Sequence, residues 1–194
     1  MTVAIVGAGN LGTFLGVHLA RAGHDVFFCA RRPPGELRVE GFAPVTLRHW
    51  LKDPPAADVT LLTVKAQASA DAARDWLPAL TGGTRPTAVI QNGIHHAARI
   101  APFPAVPVLA YVYVEAHDGW HRPFMVPREA FTVPVGEEVV AGLFESAGLS
   151  VRREADFATA AWRKMLHNCV SNPLTALAGR GLEILREPEW RPLA

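Results

Sequence analysis

An α/β fold with a parallel sheet, a strand-rich edge and a short helical end is what this sequence predicts. Three observations carry the prediction. Short apolar runs recur at residues 2–6, 25–30, 58–64 and 87–91, each read as a buried strand. Segments with helical apolar spacing follow two of them, at 11–22 and 68–80, and strand–helix alternation argues for βαβ units. A glycine cluster joins the first run to the first helix, and no strand signal follows residue 153.

Each element has its own reason. Residues 2–6 are apolar, include β-branched side chains and stop at glycine. In 11–22 the apolar residues Leu11, Phe14, Leu15 and Leu19 share one helical face, and Gly23 ends the helix as glycine does past a C-cap. Arg31-Arg32-Pro33-Pro34-Gly35 is a loop, because two prolines and a glycine break helix and strand alike. Residues 107–115 and 131–135 are strand-like with the turn signal Asp118-Gly119 between them, and their prolines suggest irregular edge strands. A helix is expected over 137–147 and a last short strand over 149–153. Beyond 154, Phe157, Ala161, Met165 and Cys169 form a stripe of helical spacing. Pro173 is expected to interrupt that helix, with Asn172 capping a new one. The prolines of 188–194 argue against a packed helix there. The expected organisation is a dinucleotide-binding domain over 1–153 and a short helical segment for substrate and dimerisation over 154–194.

Composition narrows the class. With 194 residues, 49% hydrophobic and 19% charged, the chain buries a substantial core and is not disordered. A formal net charge of +1 gives no support to a nucleic-acid binder. No apolar run approaches the roughly 20 residues that span a bilayer, and residues 1–7 lack the charged leader of a signal peptide. Two cysteines, Cys29 and Cys169, make neither a disulfide framework nor a metal motif. The expectation is a soluble, reduced, cytoplasmic protein. Of its 19 basic residues 16 are arginine, and the three lysines are Lys52, Lys65 and Lys164. Lysine among so many arginines points to positions needing a compact ammonium that gives up a proton, which guanidinium does not. Chance also accounts for Lys52, in a polar, proline-rich loop.

Gly7-Ala8-Gly9-Asn10-Leu11-Gly12 has the pattern G-x-G-x-x-G, set between a strand and a helix. The first glycine makes the tight turn, the second admits a pyrophosphate, and the third lets helix pack on sheet. The helix N-terminus presents free N–H groups to the anion. This predicts a Rossmann-type dinucleotide site. An acid at the end of the second strand would select NAD. Here the strand ends Cys29-Ala30-Arg31-Arg32, and guanidinium suits a 2′-phosphate, so NADPH is predicted, held by Arg31 at the strand end.

Ligands in such sheets sit beyond the carboxyl ends of the strands. Thr63-Val64-Lys65-Ala66 and Gln91-Asn92-Gly93 stand at two of those ends. A snorkelling surface lysine and a plain turn are the other readings of Lys65 and Asn92. In Ala161-Trp162-Arg163-Lys164-Met165-Leu166-His167-Asn168-Cys169-Val170-Ser171-Asn172-Pro173-Leu174-Thr175-Ala176, Lys164 and Asn168 share a helix face and Asn172 continues the line. One ammonium and two amides suit a ketone, a hydroxyl and a carboxylate. A solvated polar face is the alternative. The adjacent His95-His96 and the pair His117 and His121, in an expected loop, do not make a metal site.

Together these strings resemble the ketopantoate reductase (2-dehydropantoate 2-reductase) family from residue 1 to about Ala176. The resemblance implies NADPH-dependent reduction of ketopantoate to pantoate, toward pantothenate and coenzyme A. It implies that Lys164 is the general acid and binds substrate with Asn168 and Asn172, while Lys65 and Asn92 lie where nicotinamide meets substrate. Three departures stand out. The family's helical domain runs further than residue 194 and supplies a substrate-binding serine and glutamate, so this chain reads as a C-terminally short form with a truncated helical domain. The family often has glycine where this chain has His95, and its Asn-Gly-Glu stretch reads Arg180-Gly181-Leu182-Glu183 here. Uncovered apolar helix faces then predict a homodimer or helix exchange. Two other functions fit the same residues: a non-catalytic NADPH-binding protein, and a reductase of another small 2-oxoacid or a 3-hydroxyacid.

Overall fold

A computed structural model describes every residue except 126–128, 191, 193 and 194. The part of the C-terminal stretch that falls on 191, 193 and 194 therefore lies outside the described residues. In chain order the elements are β1 (Thr2–Val6), α1 (Asn10–Arg21), β2 (Asp25–Cys29), β3 (Glu36–Leu37), β4 (Val45–Thr46), β5 (Arg48–Trp50) and β6 (Val59–Leu62). A 3₁₀ turn (Ala66–Ala68) leads into α2 (Ser69–Thr81), β7 (Thr87–Ile90), α3 (His96–Ile100) and β8 (Ala105–Ala110). Then come β9 (Val112–His117), β10 (Trp120–Met125), β11 (Phe131–Pro134), α4 (Glu138–Ser146), β12 (Val151–Glu154) and α5 (Phe157–Ala178), followed by a 3₁₀ segment (Leu182–Arg186). The chain divides into two compact units, Met1–Ala155 and Asp156–Ala194.

The first unit is built on an eight-stranded sheet in the order β12-β11-β8-β7-β6-β1-β2-β5. From β8 to β5 every neighbour is parallel; β11 meets β8 antiparallel. Side chains alternate across the sheet, as the period of two requires. Val3, Ile5, Phe28 and Leu61 bury on the face that carries α1 and α4. Ala4, Val6, Phe27 and Leu62 bury on the other, against Trp76, Leu77 and Leu80 of α2. Two covered faces are why these strands read as nearly continuous apolar runs.

The structure corrects several expectations. The 107–115 run is two strands: β8 joins the main sheet, and β9 pairs with β10 in a separate hairpin around Asp118-Gly119. Pro107 thus lies inside the large sheet. It has a strand neighbour on one side only, since β11 pairs with Leu109 and Ala110 alone, and a residue without an N–H tolerates that position. His117 and His121 are strand residues, not loop residues. The polar stretch before residue 58 contributes an extra edge strand, β5, which pairs with β2.

The second unit overturns the expected helix break. α5 runs unbroken through Pro173 to the left-handed Gly179, so Asn172 caps nothing. Proline removes one donor, leaving the helix free to continue where neighbouring bonds hold. The start is capped instead by Asp156, whose carboxylate accepts the Thr159 N–H at 3.1 Å.

Candidate active site

The glycine turn follows from its backbone. Gly7 has φ of +111°, a region that favours glycine, and donates its N–H to the Cys29 carbonyl at 3.1 Å. Thr63, just past β6, donates its hydroxyl to the Gly7 carbonyl at 2.8 Å. A side chain at Gly12 would collide with that carbonyl and stand 2.8 Å from Thr63 Oγ1. Gly9 is the opposite case: a Cβ there would meet nothing within 4 Å, so the backbone lies open. The N–H groups of Asn10, Leu11 and Gly12, in the first turn of α1, have no intrahelical carbonyl to bond. Ala8 and Leu11 pack against the core, and the Asn10 side chain donates to the Val114 carbonyl of β9 at 2.9 Å. Tight where helix meets sheet and open where an anion approaches, the turn fits a dinucleotide pyrophosphate.

Arg31 leaves the end of β2 exposed, as does Arg32, and neither pairs with a described acid. The unexpected strand β5 ends beside them: Trp50 stands opposite Cys29, and its carbonyl accepts the Ala30 N–H at 3.2 Å. Lys52 lies two residues past Trp50, as Arg31 lies two past Cys29.

The register of β2, β1, β6 and β7 brings Arg31, the glycine turn, Lys65 and Asn92 to one carboxyl rim. Lys65 is exposed and its carbonyl starts the 3₁₀ turn before α2. Asn92 is exposed in a turn whose shape is held by a residue the sequence reading missed. Arg99 of α3 donates to Gln91 Oε1 at 2.9 Å, to the Asn92 carbonyl at 3.1 Å and to the Ile94 carbonyl at 2.9 Å. Burial pulls its guanidinium below the usual arginine range. Gln91 Nε2 donates to the Val64 carbonyl at 2.8 Å and lies 2.7 Å from Ser69 Oγ. His96 Nε2 stands 2.9 Å from the Gln91 carbonyl. Gly93 has φ of +96°, and a Cβ there would sit 2.7 Å from Arg99. His95, where the resembled family often has glycine, also has a positive φ of +59°. No periodicity marks Arg99, because it reaches back to an irregular turn.

On α5, Lys164 is only 9% exposed, and burial lowers its ammonium to about 8. Asn168 Nδ2, one turn on, is shielded from solvent and has no hydrogen-bond partner among the described residues. The covered line runs Ala161, Lys164, Asn168 and Ser171, not through Asn172, which is exposed. At 3.6 residues per turn a step of seven returns to the same face, whereas a step of eight overshoots it. The expected apolar stripe shifts accordingly: Cys169 is exposed, Met165 half-buried. Ser171, 2% exposed, went unnoticed in the sequence; its hydroxyl donates to the His167 carbonyl at 2.9 Å.

A glycine turn opening a helix at the carboxyl rim of a doubly wound parallel sheet defines the class: an α/β protein of the dinucleotide-binding type. The ketopantoate reductase PanE/ApbA family model matches residues 3–119. The 2-dehydropantoate 2-reductase of Mycobacterium tuberculosis H37Rv is 33% identical over 206 residues, covering 99% of this chain and 68% of that protein. Among solved structures, a PanE/ApbA family ketopantoate reductase from Ralstonia eutropha JMP134 is 29% identical, with a TM-score of 0.74 over 92% of this chain and 65% of its own. A dimeric ketopantoate reductase from Staphylococcus aureus shares the fold, with a TM-score of 0.80 at 18% identity over 97% of this chain and 73% of its own. The chain belongs to the ketopantoate reductase family.

Among the described residues no helix is long and apolar enough to cross a membrane, and no group of three or more His, Cys, Asp or Glu side chains is placed to hold a metal ion.

Proposed function

We propose that this protein reduces 2-dehydropantoate to pantoate with NADPH, in the cytoplasm, on the way to pantothenate and coenzyme A. The observation that carries the reading is the burial of Lys164 one turn from Asn168, whose Nδ2 is shielded and has no hydrogen-bond partner among the described residues. A buried ammonium lowered to about 8 stays mostly protonated at neutral pH yet releases its proton readily. That is what a general acid needs when a ketone becomes an alcohol. NADPH, when bound, supplies the hydride to the ketone carbon. The glycine turn Gly7–Gly12 holds its pyrophosphate and Arg31 its 2′-phosphate. Lys164 stabilises the charge that grows on the ketone oxygen and gives that oxygen its proton. Asn168 and Asn172 hold the substrate's remaining oxygens. Lys65 adds a positive field, and Asn92 orients the reacting end.

The test is ketopantoate-dependent loss of reduced-nicotinamide absorbance. Lys164→Ala lowers kcat by about 10²–10⁴-fold, while NADPH still binds. Folded wild-type protein that binds NADPH without turning over ketopantoate overturns the assignment. It leaves a different small oxoacid, a 3-hydroxyacid or a non-catalytic binding role.

A further inference from the structure

Arg99 makes three side-chain hydrogen bonds at the carboxyl rim, and nothing in the proposed chemistry employs it. Its guanidinium takes three oxygens at once: Gln91 Oε1 at 2.9 Å, the Asn92 carbonyl at 3.1 Å and the Ile94 carbonyl at 2.9 Å. Two of those carbonyls flank Gly93, whose φ of +96° makes the sharp bend of the turn. The third oxygen decides how Gln91 faces. With Oε1 turned to Arg99, Nε2 is directed at the Val64 carbonyl, 2.8 Å away, and at Ser69 Oγ, 2.7 Å away. Val64 directly precedes Lys65, and Gln91 directly precedes Asn92. One planar fork therefore ties together the two strand ends that present Lys65 and Asn92. A Cβ at Gly93 would stand 2.7 Å from the end of the Arg99 guanidinium, so a side chain there would push the fork aside.

We propose that Arg99 is a positioning residue for reduction: it holds Asn92, and through Gln91 the Val64–Lys65 backbone, in the arrangement that meets the reacting end of the nucleotide. The inference rests on the reductase reading above. It assigns Arg99 no contact with substrate or cofactor. Lysine cannot replace it, because an ammonium is a point charge without a fork that spans three acceptors. A misplacement of about 1 Å in an orienting group can cost the chemical step about 10²-fold.

The experiment compares the full-length wild type with Arg99→Lys and Arg99→Ala. It measures kcat, KM for NADPH, thermal stability, and amide hydrogen exchange over residues 91–95. Arg99→Lys is expected to lower kcat by about tenfold or more, with KM for NADPH within about threefold of wild type and the melting temperature little changed. Exchange speeds up in the 91–95 turn but not in β6 or β7. Added guanidinium ion restores part of the kcat of Arg99→Ala and leaves the wild type unaffected. A merely structural arginine would lower melting temperature and activity together, and that outcome overturns the proposal. So does wild-type kcat in Arg99→Lys. Should the wild type not reduce ketopantoate, the reductase reading fails first. The exchange of 91–95 and the emission of bound NADPH then decide on Arg99: no change in either variant overturns the positioning role, and a change in both supports it.

Discussion

Gly12 shows how one missing methyl group serves both packing and ligand. Its Cα faces the Gly7 carbonyl, which Thr63 already holds at 2.8 Å, so a Cβ has nowhere to go. Gly12→Ala is expected to destabilise the protein by about 1–3 kcal/mol through overpacking, read by chemical denaturation. Dinucleotide affinity is expected to fall with it, because the displaced turn no longer aims its N–H groups. Gly9 has the same residue type with open space around it, so Gly9→Ala spares stability and affects nucleotide binding alone. Lys164 makes a different kind of statement. Its ammonium is lowered from 10.5 to about 8 by burial, so the native state binds fewer protons than the unfolded chain between those values. Stability contributed by this residue therefore rises with pH across that window, the charged form being penalised below it. Lys164→Met is expected to be the more stable protein near pH 7, and its advantage shrinks as pH climbs from about 8 toward 10.5. The proposed reduction moves the other way: with Lys164 as its acid, kcat/KM is expected to decline above about 8. Unfolding curves and a rate profile over that range check both.

At the scale of elements, α5 is the informative case. It carries Pro173 inside a 22-residue helix, where proline has no N–H to offer the Cys169 carbonyl. Pro173→Ala restores that donor without new volume. It is expected to raise stability by up to about 3 kcal/mol, read as a higher denaturation midpoint, provided that the helix keeps its course. The exposed face of the same helix bears Trp162, Leu166, Val170 and Leu177, the last 81% exposed. Neighbouring side chains leave those residues to solvent, while the opposite line of Ala161, Lys164, Asn168 and Ser171 is covered. A helix apolar on its exposed side has more to bury than its own unit supplies.

For the whole molecule that exposed face predicts self-association. Large contiguous apolar patches mark interaction sites, and we propose a homodimer whose interface includes Trp162 and Leu166. Sedimentation velocity of the wild type is expected to give a dimer at micromolar concentration, and Trp162→Glu with Leu166→Glu a monomer; a wild-type monomer sinks the idea. The first unit stands apart in its logic. Its eight-stranded sheet gathers the glycine turn, Arg31, Lys65 and Asn92 at one rim simply because parallel strands all end there.

Much of that first unit was legible in the sequence. Buried parallel strands announce themselves as short apolar runs, and the glycine turn is a local pattern whose meaning depends only on the strand before it and the helix after it. Lys164 stood out as one of three lysines against 16 arginines, and Asn168 by its distance of one turn. What the sequence left open lies in contacts between residues far apart in the chain. β5 exists because Arg48–Trp50 find the open edge of β2; the triplet itself carries no strand pattern. β8 and β9 part company at Tyr111 because different partners take them. The covered line on α5 passes through Ser171 and not Asn172 because the helix runs unbroken through Pro173 and returns to the same face after seven residues. Arg99 is the clearest instance. Its three acceptors sit on a turn with positive φ at Gly93 and His95, and no periodicity precedes such a turn. Local pattern determined the buried parallel strands and the glycine turn between β1 and α1. Tertiary structure alone decided which carbonyls of the 91–94 turn meet a donor, and that Arg99 supplies it.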